Sequence, residues 1–265
     1  MTGKKIAILG CGNIGMAVIE GMLRNKNISA ANIIATRRNI SSAGNLNETG
    51  VLLTTDNVMA VQESELIIIA VKSYNFSELL GEIRNFIDPR RHVIVSVTTG
   101  IPISRIKEET LPAVPVFRAM PNISASVNSS VTCISHSSEK SDKVSKVVEL
   151  FENLGATMII DEGLIESATI LGSCGVAFVL RFIRAMIQGG IQIGFDAATA
   201  SAIVNHTVKG AAELLIEGNQ HPEKEIDRVT TPKGCTIVGL NEMEHNGFSS
   251  SLIKGIVASF EKIER

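Results

Sequence analysis

The sequence predicts an α/β protein: a doubly wound parallel sheet in the first part, followed by an all-α second part. Three observations predict it. Short apolar runs alternate with helix-spaced segments from Lys5 to Ile160. Beyond about Leu164 the spacing is helical, with no convincing strand. The first apolar run leads directly into a glycine-rich turn, Gly10-Cys11-Gly12-Asn13-Ile14-Gly15. Strand–helix alternation of this kind builds a parallel sheet with helices on both faces. The expected division is residues 1–161 for the sheet domain and 162–265 for the helical one.

The elements follow in order. The run Lys4 to Leu9 is apolar without alternation from Ile6 onward, as a strand buried on both faces must be. Asn13 to Asn25 places Ile14, Ala17, Val18, Gly21 and Met22 on one helical stripe. Asn32 to Thr36, Leu66 to Ala70 and His92 to Val97 are further strands, and Val51 to Leu53, Val114 to Arg118 and Val131 to Ile134 are weaker ones. Tyr74 to Phe86 reads as a helix. A helix at Lys140 to Leu154 and a strand at Ala156 to Ile160 close the sheet domain.

Composition excludes several functions. With 25 Lys+Arg against 27 Asp+Glu the net charge is -2, which argues against a nucleic-acid groove or an anionic-membrane surface. Aromatics are 4%, so there is little on which to stack a run of bases. Hydrophobic residues are 45% and charged residues 20%, light in charge for a soluble chain. The excess is apolar helix between Leu164 and Gly218, where two consecutive helices are apolar nearly all round. Such helices must be covered. A symmetric partner, giving a homodimer through the C-terminal helices, is the expected cover, and an internal bundle is the alternative. The uncharged stretch between Glu166 and Arg181 is too short to span a bilayer, so no membrane helix is expected. A strand at the start leaves no room for a targeting segment. Cys11, Cys133, Cys174 and Cys235 are dispersed, which points to reduced thiols in the cytoplasm. No metal spacing occurs among the five histidines, and His206, His221 and His245 read as polar or capping residues.

The glycine turn carries the first chemical argument. G-x-G-x-x-G after a buried strand and opening a helix is the dinucleotide fingerprint. Its glycines allow a tight turn, close approach of a pyrophosphate and close helix–strand packing, and the helix start offers unpaired N–H groups. This makes the first domain Rossmann-type. After the second strand comes Thr36-Arg37-Arg38-Asn39, with no carboxylate to meet ribose hydroxyls. Two guanidinium groups suit a 2′-phosphate, so NADP(H) is expected, with NAD(H) as the alternative.

Further along stand Ala70-Val71-Lys72, Met120-Pro121-Asn122 and Thr231-Pro232-Lys233-Gly234-Cys235-Thr236-Ile237. With the glycine turn they resemble pyrroline-5-carboxylate reductase in order and spacing along essentially the whole chain. The last motif is the most specific of them. The resemblance implies NAD(P)H-dependent reduction of 1-pyrroline-5-carboxylate to L-proline by a homodimer, often assembled into a decamer. It implies that Gly10, Gly12, Asn13, Ile14, Gly15, Asn57, Ala70, Val71, Lys72 and Thr98 line the cofactor. It implies that Glu162, Thr231, Gly234, Cys235 and Thr236 meet the substrate. The Gly/Thr loop opening a helix also has the donors a carboxylate needs. Thr236 is the expected catalytic residue beside the ring nitrogen, either donating a proton or holding a water.

Departures from the family cluster around the expected substrate pocket. Gly172-Ser173-Cys174-Gly175-Val176-Ala177-Phe178 stands where the family commonly has Ser-Gly-Ser-Gly-Pro-Ala-Tyr. Lys233 replaces the first of two glycines, Ser73 a proline, and Ile123-Ser124-Ala125 replaces Thr-Pro-Ala. Two alternatives therefore stand beside the reductase: a related NADP-dependent imine or ketone reductase of another substrate, and a catalytically idle dinucleotide-binding regulator. Cys11 and Cys235 fall at helix starts, where thiols become more acidic, although small-residue packing is the simpler reading of both.

Overall fold

The computed structural model describes residues 5–25, 28–40, 44–138 and 141–263. Lys4 and Lys140, the expected starts of one strand and one helix, lie outside the described residues. The chain divides into two compact units, Met1–Cys174 and Gly175–Arg265.

The first unit is built on eight strands: β1 (Ile6–Leu9), β2 (Ile33–Thr36), β3 (Leu52–Thr54), β4 (Leu66–Ile69), β5 (Val93–Ser96), β6 (Val116–Met120), β7 (Ser130–His136) and β8 (Gly155–Ile159). They lie in the order β3-β2-β1-β4-β5-β6-β7-β8. Every pair is parallel except β6 with β7, which is antiparallel. The sheet is thus mostly parallel, as expected, with this one antiparallel pair. Its cause is the connection: only the short turn Ile123–Val127 separates β6 from β7, too little chain for a parallel crossover.

The helices of this unit are α1 (Asn13–Arg24), α2 (Asn57–Glu63), α3 (Phe76–Ile83), α4 (Ile103–Glu109), α5 (Ser141–Glu152) and α6 (Ile165–Ala168). Tight turns at Ser73–Asn75 and Arg84–Phe86 take both ends of the segment expected as one helix from Tyr74 to Phe86. Two cores result, one on each face of the sheet. Ile6 and Ile8 of β1 join Val18 and Met22 of α1 and Phe151 of α5 on one face. Ala7 and Leu9 join Phe76 and Leu80 of α3 and Ile106 of α4 on the other. Successive strand residues thus feed opposite cores, which is why the central strands show no polar alternation.

The first unit runs beyond the expected boundary at residue 161. Ile165, Thr169 and Ile170 are buried, and this segment packs on β6 and β7. A π-helical turn at Thr169–Cys174 follows α6. Its carbonyls are drawn sideways: Asn122 Nδ2 donates to the Gly172 carbonyl at 2.9 Å. Ser173 Oγ in turn donates to the Pro121 carbonyl at 2.9 Å. A side chain that diverts a helical carbonyl is one cause of such an irregular turn.

The second unit is helical as expected: α7 (Gly175–Gln192), α8 (Ala197–Gly218), α9 (Pro222–Val229), α10 (Cys235–His245) and α11 (Phe248–Ile263). Asp196 caps α8 by accepting the N–H groups of Ala198 and Thr199, each at 3.0 Å. The Thr199 side chain, and then these N–H bonds, hold its carboxyl below the usual range. His221 caps α9 by accepting the Glu223 N–H at 3.3 Å, a structural role as the sequence suggested. Among the described residues of this unit only the apolar side chains of Ala200 and Val204 are buried. Large apolar side chains stay open instead, including Leu180, Ile216, Val238 and Ile253.

One described helical stretch, Glu162–Gln192, is apolar and long enough to cross a membrane by length and composition. This corrects the expectation of no such helix. That expectation ended the apolar stretch at Arg181, whereas the helix continues to Gln192. Only 6% of its most apolar window is buried within the chain.

Candidate active site

Strand order reverses between β1 and β4, since β2 and β3 lie on one side and β5 on the other. The crevice outside the C-terminal ends of these two strands is where open α/β sheets bind ligands. A cleft of about 530 Å³ lies there. Its walls include Gly10, Cys11, Gly12, Arg37, Arg38, Asn57, Ala70, Val71 and Lys72, all expected at the cofactor or beside it. Thr55, Tyr74, Glu78 and Glu82 also line it and were not foreseen.

The glycine turn shows why those three positions are glycine. Gly10 has φ +98, and a Cβ there would sit 2.7 Å from Val71 Cγ1. At Gly15 a Cβ would meet the Gly10 carbonyl oxygen at 2.4 Å. These two glycines let the turn, α1 and the β4 loop close on one another. Gly12 differs, because nothing lies within 4 Å of a Cβ built there. That open space faces the cleft, so the residues present fit a pyrophosphate resting on the turn and the start of α1. Asn13 and Ile14 open α1, and the Asn13 side chain is exposed at that helix start.

Arg37 is tied into the turn: its Nη1 donates to the Cys11 carbonyl at 2.7 Å. Gly10 and Cys11 donate their N–H groups to the Thr36 carbonyl at 3.2 and 3.0 Å. The end of β2 and the glycine turn are therefore one bonded piece. Arg38 is exposed at the same rim. Asn57 donates from Nδ2 to Glu82 Oε2 at 2.9 Å.

Thr98 is placed differently from the rest. Its side chain is buried, and its hydroxyl donates to the Val71 carbonyl at 3.0 Å. It is absent from the cleft wall and anchors the Ala70–Lys72 loop that lines it. Cys11 is buried, in keeping with the simpler reading of it as small-residue packing. Burial pushes its thiol up to about 11, outweighing the lowering by the Arg37 charge and the Thr36 contact. The acidic thiol conceivable at a helix start is thus not found. Below about pH 11 this group stays protonated, so iodoacetamide at pH 8 should leave Cys11 of the folded protein unlabelled by mass spectrometry. Alkylated Cys11 under those conditions would contradict the burial.

A second polar cluster lies on β6. Arg118 is 3% exposed; its Nη2 donates to Glu166 Oε1 at 2.6 Å and its Nη1 to Glu162 Oε1 at 3.5 Å. Glu162 Oε1 also accepts the Ile103 N–H at 2.7 Å, at the start of α4. The structure thus places Glu162, expected at the substrate, between a helix start and a buried arginine. The signal for Arg118 was available: it is the one charge inside an otherwise apolar strand, Val116–Met120.

In the second unit, Thr231 to Gly234 form a turn closed by the Gly234 N–H on the Thr231 carbonyl at 2.9 Å. A Cβ on Gly234 would lie 2.6 Å from Thr231 Oγ1, which explains the glycine. Gly234 precedes α10 without a side-chain cap, so the N–H groups of Cys235, Thr236 and Ile237 have no partner within the helix. Lys233 has φ +63, a left-handed conformation that costs a side-chain-bearing residue about 1–2 kcal/mol. Glycine, which the family commonly has here, adopts it freely.

Comparison with known proteins places these features in a lineage. Residues 162–265 match the family model described as pyrroline-5-carboxylate reductase dimerisation, and residues 5–100 match one described as NADP oxidoreductase, coenzyme F420-dependent. Pyrroline-5-carboxylate reductase 2 of Dictyostelium discoideum is 40% identical over 275 residues, covering 98% of this chain and 92% of the relative. The chain belongs to the pyrroline-5-carboxylate reductase family. Pyrroline-5-carboxylate reductase 1 of the same organism is 42% identical over 269 residues. That match covers 97% of this chain, which spans only 49% of that longer relative. Among solved structures, the Plasmodium falciparum pyrroline carboxylate reductase with NADP bound aligns with TM-score 0.89 at 23% identity, over 99% of this chain and 98% of that one. The Streptococcus pyogenes 1-pyrroline-5-carboxylate reductase aligns with TM-score 0.86 at 25% identity, over 98% of each. As members of the reductase family do, this chain has a Rossmann-like domain followed by a helical dimerisation domain, and that second domain accounts for the open apolar surface as a site of oligomerisation. This family member has the glycine turn, Thr236 as the second residue of α10, and Ser173 donating to the Pro121 carbonyl.

Proposed function

We propose that this protein reduces 1-pyrroline-5-carboxylate to L-proline with NADP(H), the last step of proline biosynthesis, in the cytoplasm. The observation that carries the reading is the intact fingerprint cleft on a chain of this family, with Arg37 and Arg38 at its rim and no carboxylate from β2. Residues 1–161 form the dinucleotide-binding domain in this reading, and residues 162–265 form the dimerisation and substrate domain. The functional unit is a homodimer through the C-terminal helices, which further assembly can extend to a decamer.

The nicotinamide cofactor supplies hydride to the carbon of the C=N bond. The chain supplies position and charge. Gly10, Gly12, Asn13, Ile14 and Gly15 hold the pyrophosphate, and Arg37, Arg38 and Asn57 hold the adenosine ribose. Ala70, Val71 and Lys72 form the opposite wall, kept in place by Thr98. The unpartnered backbone N–H groups of Cys235 and Thr236, presented by the Thr231–Gly234 turn, receive the substrate carboxylate. The Thr236 hydroxyl serves the ring nitrogen, whose protonated form accepts hydride at carbon more readily. Glu162 takes the substrate-side role that its place in the family implies.

The two arginines divide their work. Among the described residues Arg38 makes no hydrogen bond at the rim, whereas Arg37 holds the Cys11 carbonyl. Arg38→Ala should lower affinity for NADPH about tenfold and leave NADH affinity within about twofold, the loss of one charged hydrogen bond. Arg37→Ala should weaken both cofactors, because the turn itself loosens. Calorimetric titration of each variant with each cofactor checks this. An unaltered preference for NADPH in both variants would defeat the assignment.

A second reading has one observation in its favour: residues 172–178 are altered next to Pro121 and Asn122. It is a reductase of a related imine or ketone. NADPH oxidation with pyrroline-5-carboxylate, set beside a panel of cyclic imines and ketones, separates the two. Fastest turnover of pyrroline-5-carboxylate supports the first reading. Turnover confined to another substrate supports the second, and cofactor binding without turnover of any indicates an idle binder.

A further inference from the structure

The chain contains one tyrosine and no tryptophan. That tyrosine, Tyr74, is 80% exposed and stands in the wall of the fingerprint cleft. We propose that the Tyr74 ring is a stacking platform for the adenine of the dinucleotide, and so a residue that sets how tightly this chain holds the adenosine half of its cofactor. The proposal rests on the reading of the cleft as a dinucleotide site.

Position identifies which half of the ligand Tyr74 meets. The cleft draws its walls from the ends of β1, β2 and β4, from the segment after β3, and from α3. Nothing from β5 or β6 contributes to it. The side of the sheet beyond β1 toward β2 and β3 is where the ribose of the adenosine half is read. Arg37, Arg38 and Asn57 share this cleft with Tyr74. The nucleobase therefore belongs here, and the nicotinamide belongs toward β5.

Chemistry supplies the second argument. Arginine, asparagine and glutamate side chains in the lining can bond to ribose and phosphate, and Tyr74 is the one aromatic ring among them. A nucleobase binds by its face as well as its edge, and one aromatic ring beneath it contributes about 1–3 kcal/mol. Among the described residues the Tyr74 hydroxyl makes no hydrogen bond and its ring pairs with no other ring. A large ring left open at a cleft, without a structural partner, is explained by what enters the cleft.

The ring is also firmly mounted. Tyr74 lies in the tight turn Ser73–Asn75, closed by the Asn75 N–H on the Lys72 carbonyl at 2.9 Å. Directly behind it, Phe76, Leu79, Leu80 and Ile83 bury α3 against the sheet. Ahead of it, Thr98 fixes the Val71 carbonyl. The backbone that carries the ring therefore needs no rearrangement when a base settles on it.

With a single tyrosine and no tryptophan, emission excited on the long-wavelength side of the phenylalanine band comes from this ring alone. Adenosine 2′,5′-bisphosphate, which carries the adenine and the 2′-phosphate but no nicotinamide, is the probe. Titration should quench the tyrosine emission with the same midpoint as calorimetric binding. Tyr74→Phe should keep calorimetric affinity within about twofold, and Tyr74→Ala should lower it roughly 5- to 150-fold, the range one stacked base contributes. Calorimetric binding by the wild type with no loss in Tyr74→Ala overturns the platform and leaves the cleft reading standing. A wild type that binds neither this probe nor NADPH overturns the cleft reading itself, and the platform with it.

Discussion

Thr236→Ala is expected to lower kcat about 10- to 150-fold while the dissociation constant for NADPH stays within about twofold. The residue is the second of α10, after a turn held by Gly234 on Thr231. Its backbone N–H is part of the helix start and survives the substitution. Only the hydroxyl is lost. A hydrogen bond to a group that carries charge in the transition state contributes about 1.5–3 kcal/mol, which is the stated range in rate. The cofactor cleft draws no residue from this loop, so NADPH binding has no reason to change. Stopped-flow turnover with a separate cofactor titration measures both numbers. Unchanged kcat would remove Thr236 from the mechanism. A parallel loss of NADPH affinity would show that the loop serves the cofactor instead.

Ile253→Glu is expected to raise the dissociation constant of the oligomer at least about 1000-fold and leave the first unit folded and able to bind NADPH. Ile253 of α11 is 61% exposed within the single chain, as are neighbours such as Leu252 and Val257 to lesser degrees. The second unit buries only Ala200 and Val204 among its described apolar residues, so its stability depends on what covers it. Burying an isoleucine contributes about 1.5–3 kcal/mol, and placing an unpaired carboxylate there costs several more. Two-fold symmetry applies each change twice per dimer. Light scattering during size-exclusion chromatography reads the mass, and calorimetry reads NADPH binding. An unchanged mass would place the interface elsewhere. Loss of NADPH binding along with the oligomer would show that the first unit depends on assembly.

The sheet was legible in the sequence where burial on both faces removed every polar residue. Ile6–Leu9 and Leu66–Ile69 appear as unbroken apolar runs for that reason, and Ile33–Thr36 as one ended by Thr36. Strand direction was not legible. β7 alternates buried and half-buried residues in either direction, and its antiparallel pairing follows from the short turn before it. The fingerprint turn could be read residue by residue because glycine is the one side chain its contacts allow at Gly10 and Gly15. Thr98 and Glu162 could not be placed by pattern. Their bonds run to Val71 and to Ile103 with Arg118, across distances in sequence that no local spacing encodes. Lys233 shows the limit from the other side. Its departure from glycine was visible, but its positive φ required the backbone.

The proposed activity requires hydride to pass from NADPH to the imine carbon of pyrroline-5-carboxylate. The most direct test uses NADPH deuterated at the transferable nicotinamide position, with the proline recovered and examined by NMR. One deuterium at Cδ of L-proline, the former C=N carbon, is the predicted result. Proline without deuterium, label at another carbon, or no proline at all would contradict it.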